Sequence, residues 1–232
     1  ITLAAGTEKG DTLNAFKNFH YLTLQEEYDF TITDLNLDET LPVDIQDKNG
    51  KTVQIQVSKT IYESDYLVSI GLPQTHNEII YSGIINDSSV GSISRSNNKV
   101  TDVISSKLGI AKKDKAAIFQ GNFYTHKNIQ KIFSLLPIKL AIIDGYEIME
   151  GDGPINGNLL AGHFSIASSD SLAADWLTCQ IFNIQIKDIG YLQLIDDADE
   201  ARNDYFVIGD TWHKYVQKIK LPSNYEILKK WR

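Results

Sequence analysis

The sequence predicts a layered α/β domain with a mostly parallel central sheet, flanked by helices and carrying an inserted β-hairpin. Segments with strand and helix patterns alternate along the chain, which indicates this class. A continuous apolar run at residues 139–145 is typical of a strand buried on both faces of a parallel sheet. Two further strand-like segments meet at Asn49-Gly50, a dipeptide that favours the positive φ angles of a tight turn, and they predict the hairpin.

The first half of the chain contains short strand-like segments and one helix-like segment. Apolar and polar residues alternate over residues 30–35, as they do in a half-buried strand. A Gly-Leu-Pro break ends another strand just before Thr75-His76. The remaining segments are apolar runs bounded by turn residues, and they predict strands at 1–4, 41–46, 52–57 and 66–71 and a helix at 12–19.

Residues 86–128 are polar and interrupted, which predicts an irregular excursion with short helices. Beyond it, strands and helices alternate again: a helix at 129–136, strands at 139–145, 163–167 and 205–209, and helices at 169–182 and 186–194. We expect residues 1–210 to form a single domain that lacks an N-terminal strand and motif, because the chain begins inside a strand pattern. Residues 211–232 form a basic tail.

The charge distribution argues against a nucleic-acid partner. The formal net charge is −8, and a general nucleic-acid binder carries a basic surface. Residues 214–232 contain six Lys or Arg and one Glu, a net charge of +5, so the rest of the chain carries −13. We expect this tail to dock on the acidic body of its own chain.

Cysteine content and hydropathy exclude further classes. The single cysteine, Cys179, cannot form an intramolecular disulfide or hold an iron–sulfur cluster, which needs about four thiolates. It lies in an apolar run, which predicts a buried, inert thiol on a helix. No stretch approaches the roughly 20 apolar residues that cross a bilayer. We therefore expect no membrane association and a cytoplasmic location.

Local signatures for metal or phosphate binding are missing from the sequence. It has no His-Glu-x-x-His, no Walker loop and no Gly-x-Gly-x-x-Gly before a helix. The acidic stretch at residues 196–200 lacks the turn glycine of a calcium loop, so a solvated face is the better interpretation.

Polar residues at predicted strand ends are the candidate site. Thr75-His76 follow one strand, Asp144 ends the most buried one, and Ser168 to Asp170 follow the next. In open α/β sheets, ligands bind outside the carboxyl ends of the strands. The glycines of residues 151–157 predict a loop that folds Glu150 back over this edge. We expect His76, Asp144, Glu150 and Asp170 to line one cleft.

Each candidate also has a structural interpretation. His76 and His126 either serve a site or cap a turn. Asp144 either serves a site or stabilises an Asp-Gly turn, and Asp170 either binds a ligand or begins a helix. His20, His163 and His213 lie on aromatic or apolar segments, which favours structural roles.

Three motifs resemble the domain-of-unknown-function family DUF362. They are Asp-Tyr-Leu-Val-Ser-Ile-Gly-Leu-Pro-Gln-Thr-His from residue 65, Asp-Gly-Tyr-Glu-Ile-Met-Glu-Gly-Asp-Gly-Pro from residue 144, and Ala-Ser-Ser-Asp-Ser-Leu-Ala-Ala-Asp from residue 167. They occur in the order that the family has. The resemblance marks as site residues Thr75, His76, His126, Asp144, Glu150, Gly151, Gly153, Pro154, Ser168, Asp170 and Asp175.

The sequence departs from that family in three respects. Gln74 stands where the family usually has a lysine, the family's earlier Lys-Pro-Asn-like motif is missing, and a single cysteine cannot supply the ferredoxin-type module of many relatives. The resemblance implies the fold more than the activity, because the activity of the family is itself unsettled.

Two functions follow from these residues. The first is an enzyme that acts on a small polar or anionic molecule by acid–base or metal-assisted chemistry. His76 and Glu150 would transfer the proton, aided by His126, and a divalent cation would be the cofactor. Its ligand-binding residues would be Thr75, Asp144, Gly151, Gly153, Ser168, Asp170 and Asp175. The alternative is a redox-partner or ligand-binding protein that works with a separate iron–sulfur protein.

Overall fold

A computed structural model describes residues 1–7, 10–95, 115–198 and 205–232. The chain divides into two compact units. The smaller comprises Ile1–Ile45, Thr52–Ser64 and Val90–Ala117, and the larger comprises Gln46–Lys51, Asp65–Ser89 and Ile118–Arg232. The tail at residues 211–232 therefore belongs to the larger unit. The single domain over residues 1–210 stays a prediction.

The smaller unit is built on a βαβ motif. Strand β1 (Thr2–Ala5) pairs in parallel with β2 (Thr31–Asp34), and helix α1 (Thr12–Asn18) lies between them in sequence. The Asp11 side chain caps α1 by accepting a hydrogen bond from the Asn14 backbone N–H. Three further elements follow: β3 (Thr40–Gln46), β4 (Thr52–Ser58), which lies beside β3 in a two-stranded sheet, and α2 (Lys59–Tyr62).

A five-stranded mixed sheet forms the centre of the larger unit. Its elements are β5 (Leu67–Gly71), β6 (Gln74–His76), β7 (Ile80–Ser82), β8 (Ile138–Asp152) and β9 (Asn156–Ser168). The long strand β8 pairs in parallel with β5 and β6 and antiparallel with β9, and β6 pairs antiparallel with β7. The fold class is therefore mixed α/β with a partly parallel sheet.

After α1 and α2, the described residues form five more α-helices: α3 (Ile84–Ser92), α4 (Asn122–Phe133), α5 (Ser171–Ile181), α6 (Gly190–Ala198) and α7 (Tyr225–Leu228). Helix α5 packs on β8 and β9, and α4 packs on α6. Ala141, Ile143 and Ile148 of β8 are buried with Leu172 and Leu177 of α5, which fills the core of the larger unit. No described helix is long and apolar enough to cross a membrane.

The structure corrects the prediction that Asp144 ends its strand. Asp-Gly usually marks a turn, but β8 continues to Asp152, and Gly145 lies opposite Phe164 of β9. A Cβ at residue 145 would stand 2.4 Å from the Phe164 ring. The glycine therefore makes room for a cross-strand aromatic side chain and does not form a turn.

Several predicted boundaries also differ from the structure. The helix at 129–136 begins earlier, at Asn122, and ends at Phe133. The strand at 163–167 extends over Asn156–Ser168 and runs antiparallel to β8, so residues 151–157 form the tip of a hairpin, not a long loop. Residues 205–209 do not form a strand. Of the predicted excursion at 86–128, residues 96–114 lie outside the described residues, as do 199 and 200 of the acidic stretch.

A buried carboxylate links α5 to the start of α3. Asp175 on α5 is fully buried and accepts hydrogen bonds from the Ile84 N–H (2.9 Å), the Ile85 N–H (3.1 Å) and the Tyr81 hydroxyl (3.1 Å). Cys179, one turn further along α5, is also fully buried, as the sequence predicts. Burial raises the pKa of the Asp175 carboxyl to about 7, even though its three hydrogen bonds favour the charged form.

We predict that Asp175 makes the stability of the protein fall as the pH rises. Its pKa is about 7 in the folded protein, above the ordinary value of 3.8 for an aspartate. Between these values the folded state binds more protons than the unfolded state, so the free energy of unfolding decreases as the pH increases. Relative to that of Asp175→Asn, the free energy of unfolding of the wild type should fall between pH 4 and pH 7. The fall amounts to about 1.4 kcal/mol for each unit by which the pKa of Asp175 differs between the folded and unfolded states.

Urea unfolding across this pH range measures the difference between the two proteins. Asp65→Asn, which removes an exposed carboxylate of the same unit, is the control. Asp175→Ala should cost about 3 kcal/mol or more, because it leaves two buried N–H groups and a hydroxyl without their acceptor. A pH-independent difference between wild type and Asp175→Asn would contradict the prediction.

Candidate functional site

The larger unit contains a cavity of about 610 Å³ beside the β8–β9 hairpin. Residues of β8, β9 and α5 form one wall. The other wall is formed by residues 205–208 together with Asp210, Trp212 and Tyr215. A cavity of this size can enclose a small organic molecule. Of the residues that the sequence predicts as ligand-binding, Asp144 and Ser168 line it.

The β8–β9 wall of the cavity is locally irregular. The strand register shifts between Gly145 and Glu147, and His163 on β9 has a φ angle of +56°. Non-glycine residues with positive φ are uncommon and often lie near functional sites. The Tyr146 and His163 rings meet edge-to-face at this point, with their centroids 5.0 Å apart. The bulge thus brings two polar aromatic side chains to the cavity.

Asp144 places a carboxylate on the cavity wall. Its Oδ1 accepts a hydrogen bond from the Tyr146 N–H at 3.1 Å. The residue is exposed, and no described Lys, Arg or His forms an ion pair with it.

The opposite wall carries aromatic side chains and a second, neutralised carboxylate. Asp210 accepts from Lys214 Nζ at 2.7 Å and from the Tyr215 hydroxyl at 2.9 Å, and its hydrogen bond with Lys214 lowers its pKa. The Tyr215 ring lies 6.2 Å from the Phe164 ring, and Trp212 stacks on His213 at 3.7 Å. The hydrogen bonds of Asp210 and the Trp212–His213 stack therefore lie within this wall, and the Phe164–Tyr215 contact joins it to the hairpin wall.

A second group of predicted site residues meets at the tip of the hairpin, and we call it the hairpin-tip cluster. Gln74 of β6 lies opposite Met149 of β8, and the Thr75 hydroxyl donates to the Met149 carbonyl at 3.3 Å. A Cβ at Gly153 would stand 2.2 Å from the Thr75 carbonyl oxygen, so only glycine permits this approach. The cluster consists of Thr75, His76, Glu150, Gly151 and Gly153.

His76 in this cluster is a buried, neutral imidazole. Its Nδ1 accepts a hydrogen bond from the Glu78 N–H at 3.1 Å, so the neutral ring carries its proton on Nε2. The ring stacks on Phe119 with the centroids 5.4 Å apart. Burial lowers its pKa to about 4. At neutral pH the His76 ring therefore offers a hydrogen-bond donor and is a weak base.

The carboxylates of the hairpin tip hold the C-terminal segment, residues 218–224. Glu150 Oε2 accepts from the Lys220 N–H at 2.6 Å, and Asp152 Oδ1 accepts from the Ser223 N–H at 2.7 Å. The Gly151 N–H donates in return to the Lys220 carbonyl at 2.7 Å. The backbone hydrogen bond from Ser223 lowers the pKa of Asp152. Both carboxylates thus bind the backbone of the tail.

Other predicted site residues have structural contacts. His126 on α4 is buried, and its ring stacks on Tyr191 (6.1 Å) and meets Trp231 edge-to-face (5.6 Å). Burial lowers its pKa to about 3. Asp170 caps α5 by accepting from the Leu172 and Ala173 N–H groups, and the Asp170 N–H donates to Ser168.

The predicted single cleft of His76, Asp144, Glu150 and Asp170 is not formed. Ser168, two residues before Asp170, lies opposite Ala141, whereas Glu150 lies nine residues further along β8, opposite Asn158. At about 3.3 Å per residue these positions are roughly 30 Å apart. The prediction assumed that β8 and β9 end at the same edge, and antiparallel strands do not. The functional role of each residue stays a prediction.

Sequence reasoning assigned His163 a structural role and did not consider the aromatic residues of the cavity. Tyr146 follows Asp144 within the same motif, and its aromatic side chain at a strand position was a usable signal. Trp212 and Tyr215 were not detectable in this way, because the tail was characterised by its charge alone.

No metal site can be assigned from the donor groups. Within residues 1–7, 10–95, 115–198 and 205–232, no three His, Cys, Asp or Glu side chains come together in a way that could hold a metal ion. The predicted divalent cation therefore has no set of ligands in this part of the chain.

Comparison with known proteins adds the family. The model of the family described as Domain of unknown function (DUF362) matches residues 1–180. The chain belongs to the DUF362 family. The match includes the hairpin-tip glycines, Asp144 and His163, but the DUF362 match ends before the cavity wall at residues 205–215. No curated protein and no solved structure matches the chain.

We predict that the two tip carboxylates fasten the C-terminal segment. Replacing both Glu150 and Asp152 with Ala removes the acceptors of the Lys220 and Ser223 N–H groups. Amide hydrogen exchange at these two residues should become at least about tenfold faster, because exchange follows local opening. Glu150→Gln alone keeps an acceptor oxygen and should have a smaller effect.

Glu147→Ala is the matched control, since Glu147 is an exposed residue of the same strand. Unchanged exchange at both amides in the double variant would show that the tail is held elsewhere.

Proposed function

We propose that this DUF362 protein binds a small organic molecule in the cavity beside the β8–β9 hairpin. The observation that carries the proposal is the cavity itself, which has about 610 Å³ and a lining of aromatic side chains with a few polar groups. Binding sites for small molecules commonly combine an apolar, aromatic lining with a few polar groups that orient the ligand. Asp144, His163 and Ser168 supply such groups here.

The irregular geometry of the wall supports the same proposal. A bulge and a positive φ angle are costly in a long hairpin, and here they occur where Tyr146 and His163 meet the cavity. β8 and β9 also pair without a bulge, since their register is regular from Glu147 to Asp152.

The acid–base function predicted from the sequence is a second proposal. His163 and Asp144 are exposed on one wall, so they could exchange protons with a bound molecule. This pair has better access than His76 and Glu150, because His76 is buried and Glu150 accepts a hydrogen bond from Lys220. Turnover of a ligand by the wild type that His163→Gln abolishes, without loss of binding, would support chemistry at the cavity.

The redox-partner alternative makes a different prediction for the purified protein. Because one cysteine cannot hold a cluster, iron would have to come from another chain. Complex formation between this chain and a separate iron–sulfur protein would support the redox-partner function, and the absence of a complex would favour the small-molecule function.

Filling the cavity tests the binding proposal. Ser165 is exposed on β9 and lines the cavity, so Ser165→Tyr should occupy it at little cost to the strand, where tyrosine is well accommodated. In a thermal-shift screen of metabolites, ligands that raise the melting temperature of the wild type should not stabilise Ser165→Tyr. Bound ligand stabilises the folded state by mass action.

Ala161→Tyr is the control, since Ala161 is exposed on the same strand and does not line the cavity. It should retain every ligand of the wild type. Equal stabilisation of both tyrosine variants would mean that the ligands bind elsewhere, and an absence of hits for the wild type would count against the function.

A further inference from the structure

We propose that the ligand of this cavity is an organic cation, with an ammonium or similar charged group beside an apolar or aromatic part. This inference rests on the proposed binding function and specifies the chemical class of the ligand. It follows from two independent properties of the lining, its charges and its aromatic side chains.

The charged groups of the lining favour a cation. The lining contains two carboxylates, Asp144 and Asp210, and no Lys or Arg among the described residues. Lys214 neutralises Asp210 through a 2.7 Å ion pair. Asp144 has no ion-pair partner among the described residues, so the lining carries one uncompensated negative charge.

An anionic ligand would enter this cavity against an electrostatic penalty. It would lose part of its hydration shell beside Asp144, and the lining that the structure describes has no Lys or Arg to compensate for that loss. The charge of the whole chain, −8, acts in the same direction by attracting cations to the surface. Of the polar and anionic molecules that the sequence suggests as ligands, anions fit this cavity poorly.

The aromatic side chains provide a second reason. Six of the nineteen lining residues are aromatic: Tyr146, Phe164, Tyr205, Phe206, Trp212 and Tyr215. The face of an aromatic ring carries negative potential and attracts an ammonium group within about 6 Å, as in the aromatic cages that bind quaternary ammonium ligands. Tyr146 is 64% exposed and Phe206 is 90% exposed, so these rings have surface to offer a ligand.

Rings from both walls contribute to this lining. Tyr146 and Phe164 lie on the hairpin, and Trp212 and Tyr215 lie across from them on the C-terminal part of the chain. Lys214 Nζ already lies 5.3 Å from the centroid of the Tyr215 ring, so the rings left for a ligand cation are chiefly those of the hairpin together with Tyr205, Phe206 and Trp212. Aromatic rings and a carboxylate together bind organic cations more selectively than either does alone, because uncharged ligands gain only from the rings.

Three probes of equal shape and different charge test the ligand class. They are the trimethylphenylammonium ion, its uncharged analogue tert-butylbenzene, and the benzenesulfonate anion. Dissociation constants are measured by ligand-observed NMR at low salt and checked by the fluorescence of the tryptophans. We expect the cation to bind about tenfold tighter than tert-butylbenzene, and benzenesulfonate to bind most weakly.

Two variants assign the preference to the cavity. Asp144→Asn should weaken binding of the cation about fivefold and leave tert-butylbenzene unchanged, and Tyr146→Leu should also weaken binding of the cation. Glu147→Gln is the matched control, because it removes an exposed carboxylate of the same strand that does not line the cavity. It should leave all three dissociation constants unchanged.

The outcomes separate this inference from the function on which it rests. If tert-butylbenzene or benzenesulfonate binds as tightly as the cation, or if Glu147→Gln matches Asp144→Asn, the cation preference is wrong. Ligands that the metabolite screen places in the cavity would then still support the binding function. If none of the probes binds and the screen yields no ligand that Ser165→Tyr excludes, both proposals fail.

Discussion

The backbone pairing of β8 is the constraint on which the larger unit depends. This one strand hydrogen-bonds with β5 and β6 along one edge and with β9 along the other. β5 and β6 pair with different parts of β8, at residues 138–143 and at Met149, so its fifteen residues span both. The cavity and the hairpin-tip cluster lie at different points along it, so they form separate sites.

Close contacts explain why the motif that begins at Asp144 has glycine at residues 145 and 153. Gly145 leaves room for the Phe164 ring, and Gly153 lets the hairpin tip approach the Thr75 carbonyl. Between them, Glu150 and Asp152 accept hydrogen bonds from the tail. This motif thus combines a strand, a tight turn and an anchor for the tail. The same motif contributes Asp144 and Tyr146 to the lining of the cavity.

The cavity combines residues inside and outside the family match. The hairpin and α5 supply one wall from within residues 1–180, and residues 205–215 supply the other. Gln217 lies in sequence between this second wall and the segment that the hairpin tip holds, and its backbone N–H donates to the Ile181 carbonyl. The family match therefore covers Asp144 and Tyr146 but not Trp212 and Tyr215. Both parts of the chain are therefore needed to form the cavity.

The sequence by itself determined those features that depend on local patterns. The mixed α/β class, the apolar run in β8, the buried Cys179 and the motifs of the family are all properties of short segments. The resemblance to the family also marked both Thr75 and Gly153 as site residues. In the structure their backbones are in close contact.

Only the tertiary structure decided the direction of β9, the length of β8 and the walls of the cavity. A strand pattern shows which side chains are buried, but it does not show whether a neighbour runs parallel or antiparallel. Asp144-Gly145 has the composition of a turn, and only the Phe164 ring packed over the glycine shows that it lies within a strand. The cavity joins Tyr146 to Trp212 and Tyr215, more than sixty residues later in the sequence, and contacts at that separation are set by packing, not by local propensity.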